Sequence, residues 1–251
     1  TSSKLWKPRN YLGGGIRDGA YGYGGVAAKG RGGAMFRVRT TKKGPGSTAN
    51  RFELFWRGVA GGALQVRIDG KTEVVKLKGD GLDAYRSWDL PEGAHDIRVR
   101  VSRGRARIFG AALERNEGLT YDSLGVVGAR ARRWLNAKAA HMQAQISHRP
   151  ASLVVFNYGG NSRNDRISES RYIDRYLKVI ERLRLVDKEP CLVIGPTDHG
   201  KKKRGKVISE PNTVRMIGWQ RQIADQAGCA FLDSRALMGG DGSMGRWVKK
   251  G

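Results

Sequence analysis

Three short stretches hold the residues best suited to polar chemistry. They are "LGVVGAR" with Gly125 and Gly128, "YGGNSRND" with Asn161, and "GPTDHG" with Asp198 and His199. Each follows an apolar run, where a buried strand would give way to a loop. A glycine backbone N–H and an asparagine amide converging from neighbouring strands are two donors able to hold a developing oxyanion. Glycine suits that place because a Cβ would block close approach of a substrate, and because such turns often need positive φ. Taken alone, Asn161 reads first as a turn residue whose side chain closes a loop. The fallback pair for a nucleophile and a base is Ser123 and His199. His95 falls in a turn, His141 on a helix where it is surface or partly packed, and His148 in a loop before Pro150.

The elements that must position these residues fall into two rhythms. From residue 34 to 114 the pattern is short alternating runs. Phe52, Leu54 and Trp56 alternate with Glu53 and Phe55; Leu64, Val66 and Ile68 alternate with Gln65, Arg67 and Asp69; Ile97, Val99 and Val101 alternate with Arg98 and Arg100. Asp69-Gly70 is a good hairpin turn. Period-two runs at this spacing predict an antiparallel sandwich or jelly roll, its arginines on the solvated face. Residues 1–33 show no clear period and read as a long glycine-rich connection, with Trp6, Tyr11, Tyr21 and Tyr23 as packing material.

From residue 115 to 251 the rhythm becomes alternating β and α. "LTYDSLG" reads as a strand, and "SLVVFN" as a strand covered on both faces. "ARRWLNAKAAHMQAQI" is read as a helix, as is the segment with Ile173, Leu177 and Ile180. "CLVIGP", "TVRMIGWQRQIADQAG" and "CAFLD" follow as strand, helix and strand. This order predicts an α/β core, an open and mainly parallel sheet wrapped by helices, with ligands beyond the carboxyl ends of its strands.

The charge is +24, from 47 Lys plus Arg against 23 Asp plus Glu. Such a surface attracts anions: nucleic acid, anionic polymer, acidic glycan or lipid headgroups. Nucleic acid ranks behind the others, because no zinc-finger spacing, RNA-binding aromatic motif or basic zipper occurs. "HGKKKRGK", carrying Lys201, Lys202, Lys203 and Arg204, reads as an exposed loop, either simply solvated or a grip for anions. No unbroken apolar stretch reaches the ~18 residues of a membrane span. Two cysteines, Cys191 and Cys229, are too few for a multi-bridge scaffold or a four-ligand zinc site. No motif asks for a cofactor.

The blocks "YDSLGVVGARARRW", "LVVFNYGGN", "CLVIGPTD" and "GCAFLDSRALMGGDGSM" together resemble the SGNH/GDSL hydrolase superfamily, and within it the envelope O-acetylesterases acting on peptidoglycan and related polysaccharides. The resemblance implies a flavodoxin-like three-layer α/β/α core with sheet order 2-1-3-4-5 and a carbohydrate-binding-like jelly roll inserted into it. It implies that Gly128 and Asn161 form the oxyanion hole. It also implies an envelope or extracellular location, a polysaccharide or peptidoglycan partner and a disulfide between Cys191 and Cys229.

Two family blocks do not occur in the 251 residues: Gly-Asp-Ser, with the nucleophile, and Asp-x-x-His, with the base. Ser123 in "DSL" precedes its strand exit, and its block matches the family's second block better. The first strand and the two triad residues are therefore expected from a complementing segment or chain. The rival expectations are a non-catalytic protein holding anionic polymer or glycan on an esterase scaffold, and nucleic-acid association through Lys201–Arg204 and the sandwich arginines.

Overall fold

The computed structural model describes residues 2–13, 15–184 and 189–250. The chain divides into two compact units, Thr1–Leu124 and Gly125–Gly251.

The first unit has two antiparallel sheets sharing one core. The five-stranded sheet has the order β1-β2-β9-β4-β7, with β1 Lys7–Asn10, β2 Val26–Arg31, β4 Ala49–Arg57, β7 Asp83–Gly93 and β9 Arg105–Glu114. The four-stranded sheet has the order β3-β8-β5-β6, with β3 Met35–Arg39, β5 Ala63–Ile68, β6 Lys71–Lys76 and β8 Asp96–Arg103. Phe52, Leu54 and Trp56 from one sheet meet Leu64, Val66, Ile97, Val99 and Val101 from the other. Period-two alternation put these side chains on the inner faces, and their burial drives the two sheets together. Asp69 (φ 46°) and Gly70 (φ 93°) form the two-residue turn between β5 and β6.

Residues 1–33 are more than a connection, because they supply strands β1 and β2 to the larger sheet. Trp6 enters the shared core. Arg107 in β9 reaches Asp18 (2.6 Å) and the Ala20 carbonyl, tying this segment to a sheet face that also holds buried Glu53 and Phe55. The sandwich therefore begins before residue 34.

His95 lies in the turn between β7 and β8 and is buried there. Its Nδ1 donates to Asp69 Oδ2 at 2.5 Å, and its Nε2 donates towards the Ala49 and Pro91 carbonyls at 3.1 and 2.8 Å. Acceptors face both nitrogens, so the ring is held as an imidazolium. Burial pulls its pKa down, but the Asp69 hydrogen bond and the Pro91 carbonyl raise it above 6.5. Burial likewise works against ionised Asp69, yet the Asp96 N–H and His95 bring it below 3.8.

The pair's contribution to stability is thus complete between about pH 4 and pH 6.5. It fades above that window as His95 loses its proton, and below it as Asp69 gains one. His95→Ala is expected to lower stability most inside this window. It should also flatten the decline above about pH 6.5, read by urea unfolding at several pH values.

The second unit has a parallel sheet of order β10-β11-β14, with β10 Val154–Asn157, β11 Cys191–Ile194 and β14 Ala230–Leu232. Helices α2 Glu169–Leu183 and α3 Pro211–Ala227 connect successive strands, and α1 Ala139–His148 packs on α2. The strand order advances in one direction and such crossovers are right-handed, so both connecting helices fall on the same face. Phe156, Val193 and Phe231 point to that face, where Phe156 meets Tyr176 and Arg221 stacks over Phe231.

The other face is open. Val155 is 42% exposed and Leu232 37%, with Leu192 and Ile194 half-buried between them. "SLVVFN" is thus covered on one face only, and the sheet has one helical layer where two were expected. Nor do residues 119–124 form a strand: Leu119 and Tyr121 are almost fully exposed. A strand needs a neighbour to satisfy its main-chain groups, and among the described residues this stretch has none.

Helix α3 begins at Pro211, with Glu210 accepting from the Thr213 N–H at 2.9 Å, and ends at left-handed Gly228. Beyond β11 come β12 Gly200–Lys203 and β13 Lys206–Ser209, a hairpin against which α5 Ser243–Lys250 packs. The lysine run is a hairpin rather than a loop, turning at Arg204 (φ 49°) and Gly205 (φ 76°). Cys191 and Cys229 form a disulfide with Cα atoms 4.7 Å apart, joining the start of β11 to the residue before β14.

Candidate active site

The site lies in the second unit, where the turn at residues 125–130 meets the loop after β10. Gly128 has φ 79°, and open space where a Cβ would stand. Its conformation, not crowding, selects glycine there. It is exposed, and among the described residues its N–H has no acceptor. The loop after β10 tightens into one 3-10 turn, Gly160–Ser162, carrying exposed Asn161. The Asn161 amide donates from Nδ2 to the Ala129 carbonyl at 3.2 Å, which brings Asn161 beside Gly128. An amide NH2 has two hydrogens. One anchors the side chain, and among the described residues the other has no acceptor. Two donors so arranged can receive one negatively charged oxygen.

Further contacts tie the two loops together and support the second from beneath. Asp165 accepts from Arg130 Nε at 2.9 Å and Arg132 Nη2 at 3.4 Å, so two arginines of the first loop clamp a carboxylate of the second. Gly159 has φ 133°, and a Cβ there would come within 2.8 Å of Gln220 Nε2 and 3.1 Å of Pro196. Gln220 is fully buried and donates to the Tyr158 carbonyl (2.7 Å) and the Tyr172 hydroxyl (3.0 Å). Trp134 Nε1 donates to Tyr158 Oη at 2.7 Å. Burial pushes the Tyr172 phenol well above its ordinary pKa, so it stays protonated in this network. Sequence reasoning did not single out Arg130, Arg132, Asp165 or Gln220. The only available signal was the paired arginines of "GARARRW" near an isolated aspartate in "NSRND".

The structure separates the third exit into two roles. Asp198 is fully buried and accepts from Ser243 Oγ and the Met244 N–H, both at 3.0 Å, with Arg235 Nε at 3.4 Å. Burial would raise its pKa, but Ser209, the Met244 N–H, Ser243 and Arg235 hold it below the usual carboxylate value. It therefore anchors the start of α5 and orients no histidine. His199 is half-buried, and its Cε1 would lie 3.8 Å from a Cβ on Gly160. Its Nδ1 donates to the Thr197 carbonyl at 3.0 Å. Ser123 belongs to the first unit and stands exposed. His141, read from sequence as a helix-surface or partly packed residue, is buried in α1. Lys201, Lys202, Lys203 and Arg204 are all exposed on the hairpin.

The sequence profile of the GDSL-like lipase/acylhydrolase family matches residues 89–249. A solved structure of a peptidoglycan O-acetylesterase is similar at a TM-score of 0.70 and 19% identity, over 100% of this chain and 68% of that one. Similarity falls to a TM-score of 0.33 and 10% identity for a family two carbohydrate esterase mutant from Clostridium thermocellum, over 91% and 87% of the two chains. A carbohydrate-binding module from Clostridium stercorarium gives 0.31 and 16%, over 46% and 87%. Scores this low do not bear on the fold. A search of curated proteins by sequence finds no match.

Proposed function

The chain belongs to the GDSL-like lipase/acylhydrolase family, and we propose that it is the oxyanion-holding core of a serine esterase removing O-acetyl groups from peptidoglycan or a related polysaccharide. The observation that supports this reading is the Asn161–Ala129 hydrogen bond, which ties the Asn161 amide to the residue that follows Gly128. In the reaction a serine Oγ attacks the acetyl carbonyl, and the carbonyl oxygen becomes an oxyanion between these two donors. The glycan hydroxyl leaves with a proton, and water then releases acetate from the acyl-serine.

The serine and its histidine come from a complementing segment. Among the described residues the outer edge of β10 is unpaired and the sheet face with Val155 and Leu232 is exposed, which suits one added strand and one covering helix. The disulfide fits an oxidising envelope or extracellular setting. The sandwich serves as a glycan-holding module of jelly-roll type.

Labelling with a fluorophosphonate, followed by peptide mapping, tests this division. The 251-residue chain alone is expected to remain unlabelled and to leave an aryl acetate intact. The native assembly should be labelled on a serine outside these residues. Label on Ser123 would make the chain self-sufficient and refute the division. An assembly with neither label nor turnover would favour a binding protein on an esterase scaffold.

A further inference from the structure

The outward face of the four-stranded sheet carries charge that its own structure leaves unanswered. Cross-strand register sets Arg37, Arg98 and Arg67 side by side in one row across β3, β8 and β5. The next row on the same face runs Met35, Arg100, Gln65 and Val74. Neighbouring strands lie only ~4.8 Å apart, and like charges directly opposite one another destabilise a sheet. Asp96 serves this cluster: Arg37 grips it with two hydrogen bonds, and Arg98 stands 3.9 Å away. Among the described residues Arg67 and Arg100 have no acidic partner. In the other sheet Arg51, Arg57, Arg86 and Arg107 are each paired with a carboxylate, while Arg31 and Arg105 face each other at its end without one among the described residues.

We propose that this face is a binding platform for an acidic polysaccharide, whose carboxylates are received by Arg67, Arg98 and Arg100. A guanidinium is a planar fork that matches a carboxylate with two parallel hydrogen bonds. Arg67 and Arg98, on adjacent strands, can flank one carboxylate. Arg100 stands two residues along from Arg98, about 6.8 Å away, in reach of the next. Met35 (37% exposed) and Val74 (56%) border the arginines and offer apolar contact to the C–H faces of sugar rings. The chemistry of the face argues against nucleic acid. It is a flat sheet with no helix or ribbon to enter a groove, and neither row holds an aromatic ring for stacking bases. This deepens the glycan-holding role given to the sandwich above. Binding is measured without hydrolysis, so the two readings can fail separately.

Titration of the chain with polygalacturonate at low salt, by calorimetry, is the test. Arg67→Gln/Arg98→Gln/Arg100→Gln is expected to weaken binding roughly tenfold or more, while Lys201→Gln/Lys202→Gln/Lys203→Gln, with the same charge removed from the hairpin, should change it less than about threefold. The exposed glutamines relieve like-charge contacts, so tryptophan fluorescence should report an unchanged fold. A lysine triple at the same three positions keeps the charge without the fork and should lose a smaller but measurable factor. Absence of polygalacturonate binding overturns the proposal, as does equal weakening by the platform and hairpin triples. Duplex DNA that is weakened by the platform triple as much as polygalacturonate also overturns it, by revealing an unselective polyanion surface.

Discussion

Replacing Asn161 by alanine is expected to lower kcat for an acetyl ester by roughly 10²–10³ in the complete assembly, with KM nearly unchanged, because an oxyanion donor is worth about 2.7–4 kcal/mol in the transition state. The substrate carbonyl is neutral and gains little from the donor; the oxyanion gains much. The substitution also removes the bond to the Ala129 carbonyl. That loss should cost stability only about 1 kcal/mol, since Asn161 is exposed and water can replace the amide. Asn161→Asp sharpens the experiment: it keeps the shape but loses both hydrogens and sets a negative charge where the oxyanion forms. Its rate should fall at least as far as that of Asn161→Ala. An unchanged kcat in either variant would remove Asn161 from the reaction.

Opening the Cys191–Cys229 disulfide should produce the largest stability loss of any single covalent change. The bridge spans 38 residues of sequence, and closing a loop of that length in the unfolded chain is worth about 4 kcal/mol by loop-entropy arguments. Inside the loop lie β11, the basic hairpin and α3, so reduction frees the elements that carry His199 and Gln220. Arg184 packs beside the bridge, donating to the Ala227 carbonyl at 2.8 Å, and would hold the two ends only weakly without it. Urea unfolding of Cys191→Ala/Cys229→Ala should show a lowered midpoint, and wild-type protein under reductant should show the same drop. A midpoint insensitive to reductant would contradict the bridge.

Much of the architecture could be read from the sequence where one face of an element is apolar and the other is not. Phe52, Leu54 and Trp56, and likewise Ile97, Val99 and Val101, announced their strands by alternation, and Asp69-Gly70 announced its turn. β1, "KPRN", lies exposed, and β2, "VAAKGR", mixes small and charged residues. Neither offers the contrast that alternation needs. The β12–β13 hairpin escaped for the same reason: Lys201, Lys202 and Lys203 are all exposed, and packing of α5 holds the hairpin in place.

The opposite error occurred at residues 119–124 and in "SLVVFN". Their apolar character was plain, but pairing and coverage depend on neighbours that local pattern cannot reveal. At the site, residue type offered Gly125, Gly128 and Asn161 as donors, and only the resemblance to the esterases singled out Gly128 and Asn161. The Arg130–Asp165–Arg132 clamp and the Gln220 support join residues far apart in sequence through polar contacts, and these leave no period to detect.

The most direct measurement of the central claim is a crystal structure of the native assembly after phosphonylation of its active serine. The phosphonyl oxygen stands in for the carbonyl oxygen of the tetrahedral intermediate. It is expected about 2.7–3.1 Å from both the Gly128 backbone nitrogen and Asn161 Nδ2, with the Asn161–Ala129 hydrogen bond intact. A phosphonyl oxygen held by other donors, with Asn161 turned away from it, would contradict the account.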